Sequence, residues 1–159
     1  MKRILAICLT ICLSASLILV KAEVRLPAII GSNMVLQQKT AVKLWGWANP
    51  GEKVFIKLGW KSEKDSTVST RDGNWMVTVN TPASGSSYTI LFEGENKILL
   101  ENVLIGEVWL CSGQSNMEWS ALNNNQQAIA EAPAATNSQI RFFHIPKSTA
   151  NYPQDDTKA

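Results

Sequence analysis

Histidine is almost missing from this 159-residue chain, which has only His144. Chemistry that needs a histidine base therefore has one candidate within these residues. Cysteine is scarce as well, with three in all, and Cys8 and Cys12 fall in the first 22 residues. If that segment is removed, Cys111 stands alone and no disulfide can form within the mature chain. Cys111 is then either buried and inert or paired with a cysteine beyond residue 159. Charge of one sign is lacking too. Fifteen basic residues face 13 acidic ones, a net of +2. Without Lys2, Arg3 and Lys21 the balance is 12 to 13, or −1. A nucleic-acid partner has no electrostatic support, because phosphate neutralisation needs clustered Lys and Arg. There is no internal repeat, heptad pattern or collagen-like period. At 45% hydrophobic and 18% charged, with 9 Gly and 6 Pro, the composition is that of a globular protein. The length fits one domain, or a small domain plus part of another.

Residues 1–22 read as an address. Lys2 and Arg3 precede an uncharged apolar run from Ile4 to Val20. Val20 and Ala22 are small enough for the −3 and −1 positions of a signal peptidase site, which places cleavage before Glu23. The run lies at the short limit for a membrane span. A lipid anchor would need a cysteine at its end, and Cys8 and Cys12 come too early. The expectation is a secreted or periplasmic protein with no membrane attachment after cleavage.

Residues 23–104 read as an all-β sandwich. Val42–Trp47 is followed by the turn string Ala48-Asn49-Pro50-Gly51. In Lys53–Leu58, the residues Val54, Ile56 and Leu58 share one face at period 2. Arg71-Asp72-Gly73-Asn74 is a hairpin-type turn. It opens Trp75–Val79, where Trp75, Val77 and Val79 alternate. Tyr88–Phe92 and Ile98–Leu100 supply two more strands. Short strands at this spacing, punctuated by Gly and Pro, argue for a sandwich. Trp45, Trp47, Trp60 and Trp75 are assigned to its core and edges, with a sugar platform as the alternative.

The texture changes near residue 104. Val103–Leu110 is mostly apolar, as expected of a strand covered on both faces. A glycine-containing turn follows, Cys111 to Asn116, then a helix-compatible stretch from Asn124 to Ala130 that Pro133 ends. Ile140–Ile145 reads as a second strand. Strand, turn, helix and strand make one βαβ unit, the start of a parallel α/β sheet. The expected organisation is a signal peptide over 1–22, a β-sandwich over 23–104 and an incomplete α/β domain over 105–159.

Gly113-Gln114-Ser115-Asn116-Met117 is the string that carries chemistry. A serine at a tight turn between a strand and a helix projects its hydroxyl from the sheet edge. There the helix dipole and free amides favour an oxyanion. The pattern is not Gly-x-Ser-x-Gly, which disfavours an α/β-hydrolase elbow. Serine capping a helix is the plainer alternative.

The whole string from Gly106 to Trp119 resembles the first conserved block of the SGNH/GDSL hydrolases, and more narrowly the sialate O-acetylesterase family. Leu26-Pro27, Gly31–Gln38, Trp45–Gly51 and Asp72–Trp75 resemble that family too. The resemblance implies a β-sandwich beside a flavodoxin-like α/β hydrolase domain. It implies an esterase that removes acetyl groups from an O-acetylated sugar, sialic acid or a xylan- or glycan-type partner. Ser115 matches the nucleophile, with its amide in the oxyanion hole and a histidine and an aspartate as base and orienter. No metal and no organic cofactor is implied.

The chain departs from that pattern, because no Asp-x-x-His block follows Ser115. The expectation is an N-terminal fragment or truncated gene product, inactive as given. The alternative function is a non-catalytic sandwich module that binds carbohydrate or protein. His144 is read as structural, and Asp155 and Asp156 as solvated loop charges. Asn116 is a candidate to hold the turn by a side-chain bond. Arg141 is a weak candidate for a substrate carboxylate.

Overall fold

The computed structural model describes residues 23–157, so the leader expected over 1–22 lies outside the described residues. No helix among them is long and apolar enough to cross a membrane. Alternation in the sequence becomes alternation in burial. In the strand Lys53–Leu58, the side chains of Val54, Ile56 and Leu58 are buried, while Lys53, Phe55 and Lys57 are exposed. Successive side chains on a pleated strand point to opposite faces, so this pattern seats one face on a core.

Seven strands form among the described residues: β1 (Val35–Gln37), β2 (Ala41–Trp47), β3 (Lys53–Leu58), β4 (Lys64–Val68), β5 (Asn74–Asn80), β6 (Ser87–Glu93) and β7 (Lys97–Gly106). Five make one sheet in the order β1-β7-β6-β3-β4, and β2 pairs with β5 in a second. Pairing is antiparallel except where β1 lies parallel to the end of β7, with Val35 opposite Leu104 and Gln37 opposite Gly106.

The two sheets share one core. Leu44, Trp75 and Val79 come from the small sheet. They pack in the same cluster as Val54, Ile56, Leu58, Ile90, Phe92, Leu100 and Val103 from the large one. Trp75 and Phe92 meet with ring centroids 5.6 Å apart and planes tilted by 43°. Trp45 and Trp60 pack against the margin of this cluster, and Trp60 stands edge-on to Tyr88 at 5.4 Å. Trp45 and Trp47 form a T-shaped pair at 5.5 Å. The tryptophans are thus divided between core and edge.

Three expectations need correction. The strand expected over Ile98–Leu100 begins at Lys97 and runs to Gly106. It absorbs the first part of the apolar run Val103–Leu110. The rest is not a covered strand: Val108, Trp109 and Leu110 are exposed, the last at 89%. Ile140–Ile145 is not a strand either, and Phe142 is 93% exposed. A parallel strand exists only with a hydrogen-bonded neighbour, and neither segment has one among the described residues. The βαβ unit is therefore not formed here. The expected helix does form, as α1 (Gln126–Glu131). Its N-cap Asn125 accepts from the Ala128 amide at 3.0 Å, which satisfies one otherwise open donor.

Candidate functional site

Ser115 stands at the start of a single 3₁₀ turn, Ser115–Glu118. Gly113 precedes it with φ +153°, a conformation that side chains rarely adopt, and a Cβ there would lie 3.2 Å from Met117 Cγ. The backbone closes the turn. Met117 N–H donates to the Gln114 carbonyl at 2.9 Å and Trp119 N–H to the Asn116 carbonyl at 3.3 Å. Asn116 thus serves through its carbonyl rather than through the expected side-chain bond. Ser115 is exposed. Among the described residues its hydroxyl makes no hydrogen bond. The turn is short, so the helix-dipole contribution expected from a full helix is confined to one turn's open amides.

The residues around it are polar and partly paired. Glu118 forms an ion pair with Lys147. Trp119 Nε1 donates to the Asn123 carbonyl at 3.0 Å, folding the indole back on the next turn. Cys111 is exposed, which overturns its reading as a buried, inert thiol. His144 is exposed in an irregular segment and makes no hydrogen bond to Ser115. Asp155 is exposed, as expected. Asp156 is not simply a solvated charge, because its Oδ1 accepts from the Ala28 amide at 3.0 Å and ties the C-terminal loop to the sandwich. Among the described residues, no three His, Cys, Asp or Glu side chains gather as a metal site would require.

Two polar contacts that sequence reasoning missed flank the Ser115 segment. On its N-terminal side, the Glu107 carboxylate accepts from Gln37 Nε2 at 2.9 Å and from Gln38 Nε2 at 2.7 Å. These donors stabilise the charged form and hold the Glu107 carboxyl below its usual range. On its C-terminal side, the Arg141 guanidinium reaches the carbonyls of Asn33 and Asn102. Arg141 is therefore engaged with the protein itself and is not held out for a ligand carboxylate. These partners lie between 39 and 108 residues apart in sequence, so no local pattern announces them. The one available signal is that Gly31–Gln38 and Gly106–Trp119 both carry the family resemblance.

No family model matches the chain. The chain is similar to sialate O-acetylesterases. It is 29% identical over 145 residues to the sialate O-acetylesterase of Pongo abelii and, equally, to that of Homo sapiens. These alignments cover 85% of this chain and 28% of each relative. The rat protein, from Rattus norvegicus, is 29% identical over 131 residues. In three dimensions the chain resembles the crystal structure of a carbohydrate acetylesterase from Xanthomonas citri. That match has a TM-score of 0.74 at 29% identity, over 86% of this chain and 31% of that one. The chain thus spans less than a third of the length of the proteins it matches. The mostly β architecture is shared with a carbohydrate acetylesterase.

Proposed function

We propose that Ser115 is the nucleophile of an exported serine esterase that removes acetyl groups from O-acetylated sugars, sialic acids among them. The observation that carries this reading is the placement of Ser115. Its hydroxyl is open to solvent on a glycine-led turn, and the string Gly106 to Trp119 around it resembles the first conserved block of the SGNH hydrolases. The named relatives and the Xanthomonas citri structure support the substrate class.

In this reading residues 105–159 open an α/β hydrolase domain of SGNH type. The Ser115 oxygen attacks the acetyl carbonyl carbon and loses its proton to a histidine base. The Ser115 amide donates to the oxyanion that forms. Collapse of the intermediate expels the sugar hydroxyl, which takes up the proton, and leaves acetyl-Ser115. Water activated by the same base then releases acetate. The base and its orienting carboxylate come from outside these 159 residues. An isolated serine hydroxyl is a weak nucleophile, so this chain alone is inactive.

The test compares wild type with Ser115→Ala in two settings. In the native gene product, isolated from its source cell, the substitution lowers acetyl-ester hydrolysis by about a thousandfold or more. In the isolated chain, p-nitrophenyl acetate is hydrolysed at the same rate with and without Ser115. Activity in the native product that survives Ser115→Ala overturns the assignment. A native product of 159 residues with no esterase activity favours the sandwich as a non-catalytic binding module.

A further inference from the structure

The large sheet ends at Gly106, and Ser115 lies nine residues further on with no strand between. How the chain leaves the sheet therefore governs where the serine stands. At that exit the parallel pairing of β1 and β7 is extended by one bond, as Gln38 N–H donates to the Gly106 carbonyl at 2.8 Å. Immediately beyond, three bonds join the end of β1 to the departing chain. Gln37 Nε2 and Gln38 Nε2 donate to the two Glu107 oxygens. Gln37 Oε1 accepts from Val108 N–H at 2.9 Å. Gln38 Oε1 in turn accepts from the Ser84 amide at 3.0 Å.

Each glutamine amide thus uses one donor and one acceptor, which fixes which end of the amide faces the carboxylate. Among the described residues, no other hydrogen bond ties residues 107–114 to the sandwich. We infer that Glu107 is a positioning residue, clasped by Gln37 and Gln38 so that the sandwich sets the direction in which the Ser115 segment leaves it. The inference rests on Ser115 being the nucleophile, because a misplacement of about 1 Å then costs a large factor in rate. It gives the sandwich a part in catalysis without any contact to substrate.

A reciprocal exchange tests the clasp. Glu107→Ala removes the acceptor. Gln38→Glu sets two carboxylates against each other. The double variant Gln38→Glu/Glu107→Gln reverses donor and acceptor and keeps every bond. Its carboxylate at position 38 still accepts from Ser84, and its amide at position 107 still accepts from Gln37. Amide hydrogen exchange at Val108 reads the clasp directly, with Val54 and Ile90 as core controls. Each single variant speeds Val108 exchange by about tenfold or more with the controls unchanged, and the double variant returns it to within about twofold. In the native gene product, each single variant lowers kcat by about tenfold or more at similar KM, and the exchange restores it. Unchanged Val108 exchange in Glu107→Ala, or a double variant no better than the singles, overturns the clasp. Exchange that follows the cycle while kcat does not overturns the positioning role. Loss of the nucleophile assignment shows separately, as activity that survives Ser115→Ala.

Discussion

Arg141 Nη1 donates to the carbonyl oxygen of Asn33 at 2.8 Å, joining residues 108 apart in sequence. The same guanidinium reaches the Asn102 carbonyl at 3.3 Å, while Nε donates to the Ser138 carbonyl at 3.1 Å. Asn33 and Asn102 both take positive φ, at 67° and 56°. Asparagine tolerates that conformation better than most residues. They are themselves joined, Asn102 Nδ2 donating to Asn33 Oδ1 at 2.8 Å. The fork of one arginine thus pins the segment after α1 to the turn at Asn33 and to β7 at Asn102.

Removing that pin loosens the segment around Phe142 and Phe143 far more than it loosens the sandwich. Arg141→Ala speeds chymotryptic cleavage at Phe142 and Phe143 severalfold, while the melting of the sandwich shifts by the equivalent of about 1 kcal/mol or less. Arg141→Lys does not restore protection, because one ammonium cannot supply at once the Nη1 bonds to the Asn33 and Asn102 carbonyls and the separate Nε bond to the Ser138 carbonyl. Equal cleavage rates in wild type and Arg141→Ala would show that the pin holds nothing.

The core contact of Trp75 with Phe92 joins the two sheets and carries a larger share of stability. Phe92 is fully buried and Trp75 nearly so, and Trp75 Nε1 donates to the Trp47 carbonyl at 3.2 Å. Trp75→Ala removes ring area from both sheets and costs about 3–5 kcal/mol. Against the roughly 5–15 kcal/mol that holds a typical domain, that is a severe loss. Trp75→Phe keeps most of the area but loses the indole bond, and costs less. Urea denaturation measures both, and a loss below about 1 kcal/mol for Trp75→Ala would place the inter-sheet contact elsewhere.

Period-2 patterning makes β3 legible with its bounds, and β2, β5 and β6 to within a residue or two. Each buries one face, so the pattern carries the signal twice, in hydrophobicity and in turn residues. β1 and β4 escape notice for different reasons. β1 is three residues long, and β4 is Lys64-Asp65-Ser66-Thr67-Val68, an edge strand that buries no residue fully. The apolar run Val103–Leu110 misleads because hydrophobicity reports a need for cover, not its source. Its first half finds cover in the sandwich core, and Trp109 and Leu110 find none among the described residues. Ser115 is legible as a candidate from its turn and flanking string. The bonds that Gln37 and Gln38 make to the chain leading to it are not, because they are made by side chains brought together only by the fold.

Gly46 illustrates a constraint invisible in the β2 pattern. A Cβ at this position would run into the Arg25 carbonyl and lie 2.9 Å from Trp75 Cζ2. Arg25 and Trp47 exchange backbone bonds at 2.8 and 3.0 Å, so the close approach is fixed on both sides. Gly46→Ala therefore destabilises by about 1–3 kcal/mol, as overpacking does. Gly31, with no atom within 4 Å of an added Cβ, is the control. Gly31→Ala changes stability by no more than about 0.5 kcal/mol. A Gly46→Ala variant as stable as Gly31→Ala would mean that the segment around Arg25 can shift at little cost.

Acid sensitivity is expected at Glu93. Its carboxylate pairs with Lys64 at 2.7 Å and with Lys97 at 2.9 Å, tying β6 to β4 and β7. The hydrogen bond from Lys64, then that from Lys97, lowers its pKa from 4.5 to about 2. In the unfolded chain Glu93 returns to its ordinary value. A depressed carboxylate contributes stability that is fully present above the unfolded pKa and disappears as pH falls through the folded one. Wild type therefore exceeds Glu93→Gln by a constant margin above about pH 5.5, roughly a unit above the unfolded value. The margin shrinks from the unfolded value of 4.5 downward and vanishes below the folded value of about 2. Both lysines are largely solvent-exposed, so about 1 M salt reduces the margin at neutral pH. Thermal melts of the two proteins across this range measure the margin directly. A difference that persists unchanged at the acid end would mean that the Glu93→Gln substitution weakens packing and that the ion pairs contribute nothing.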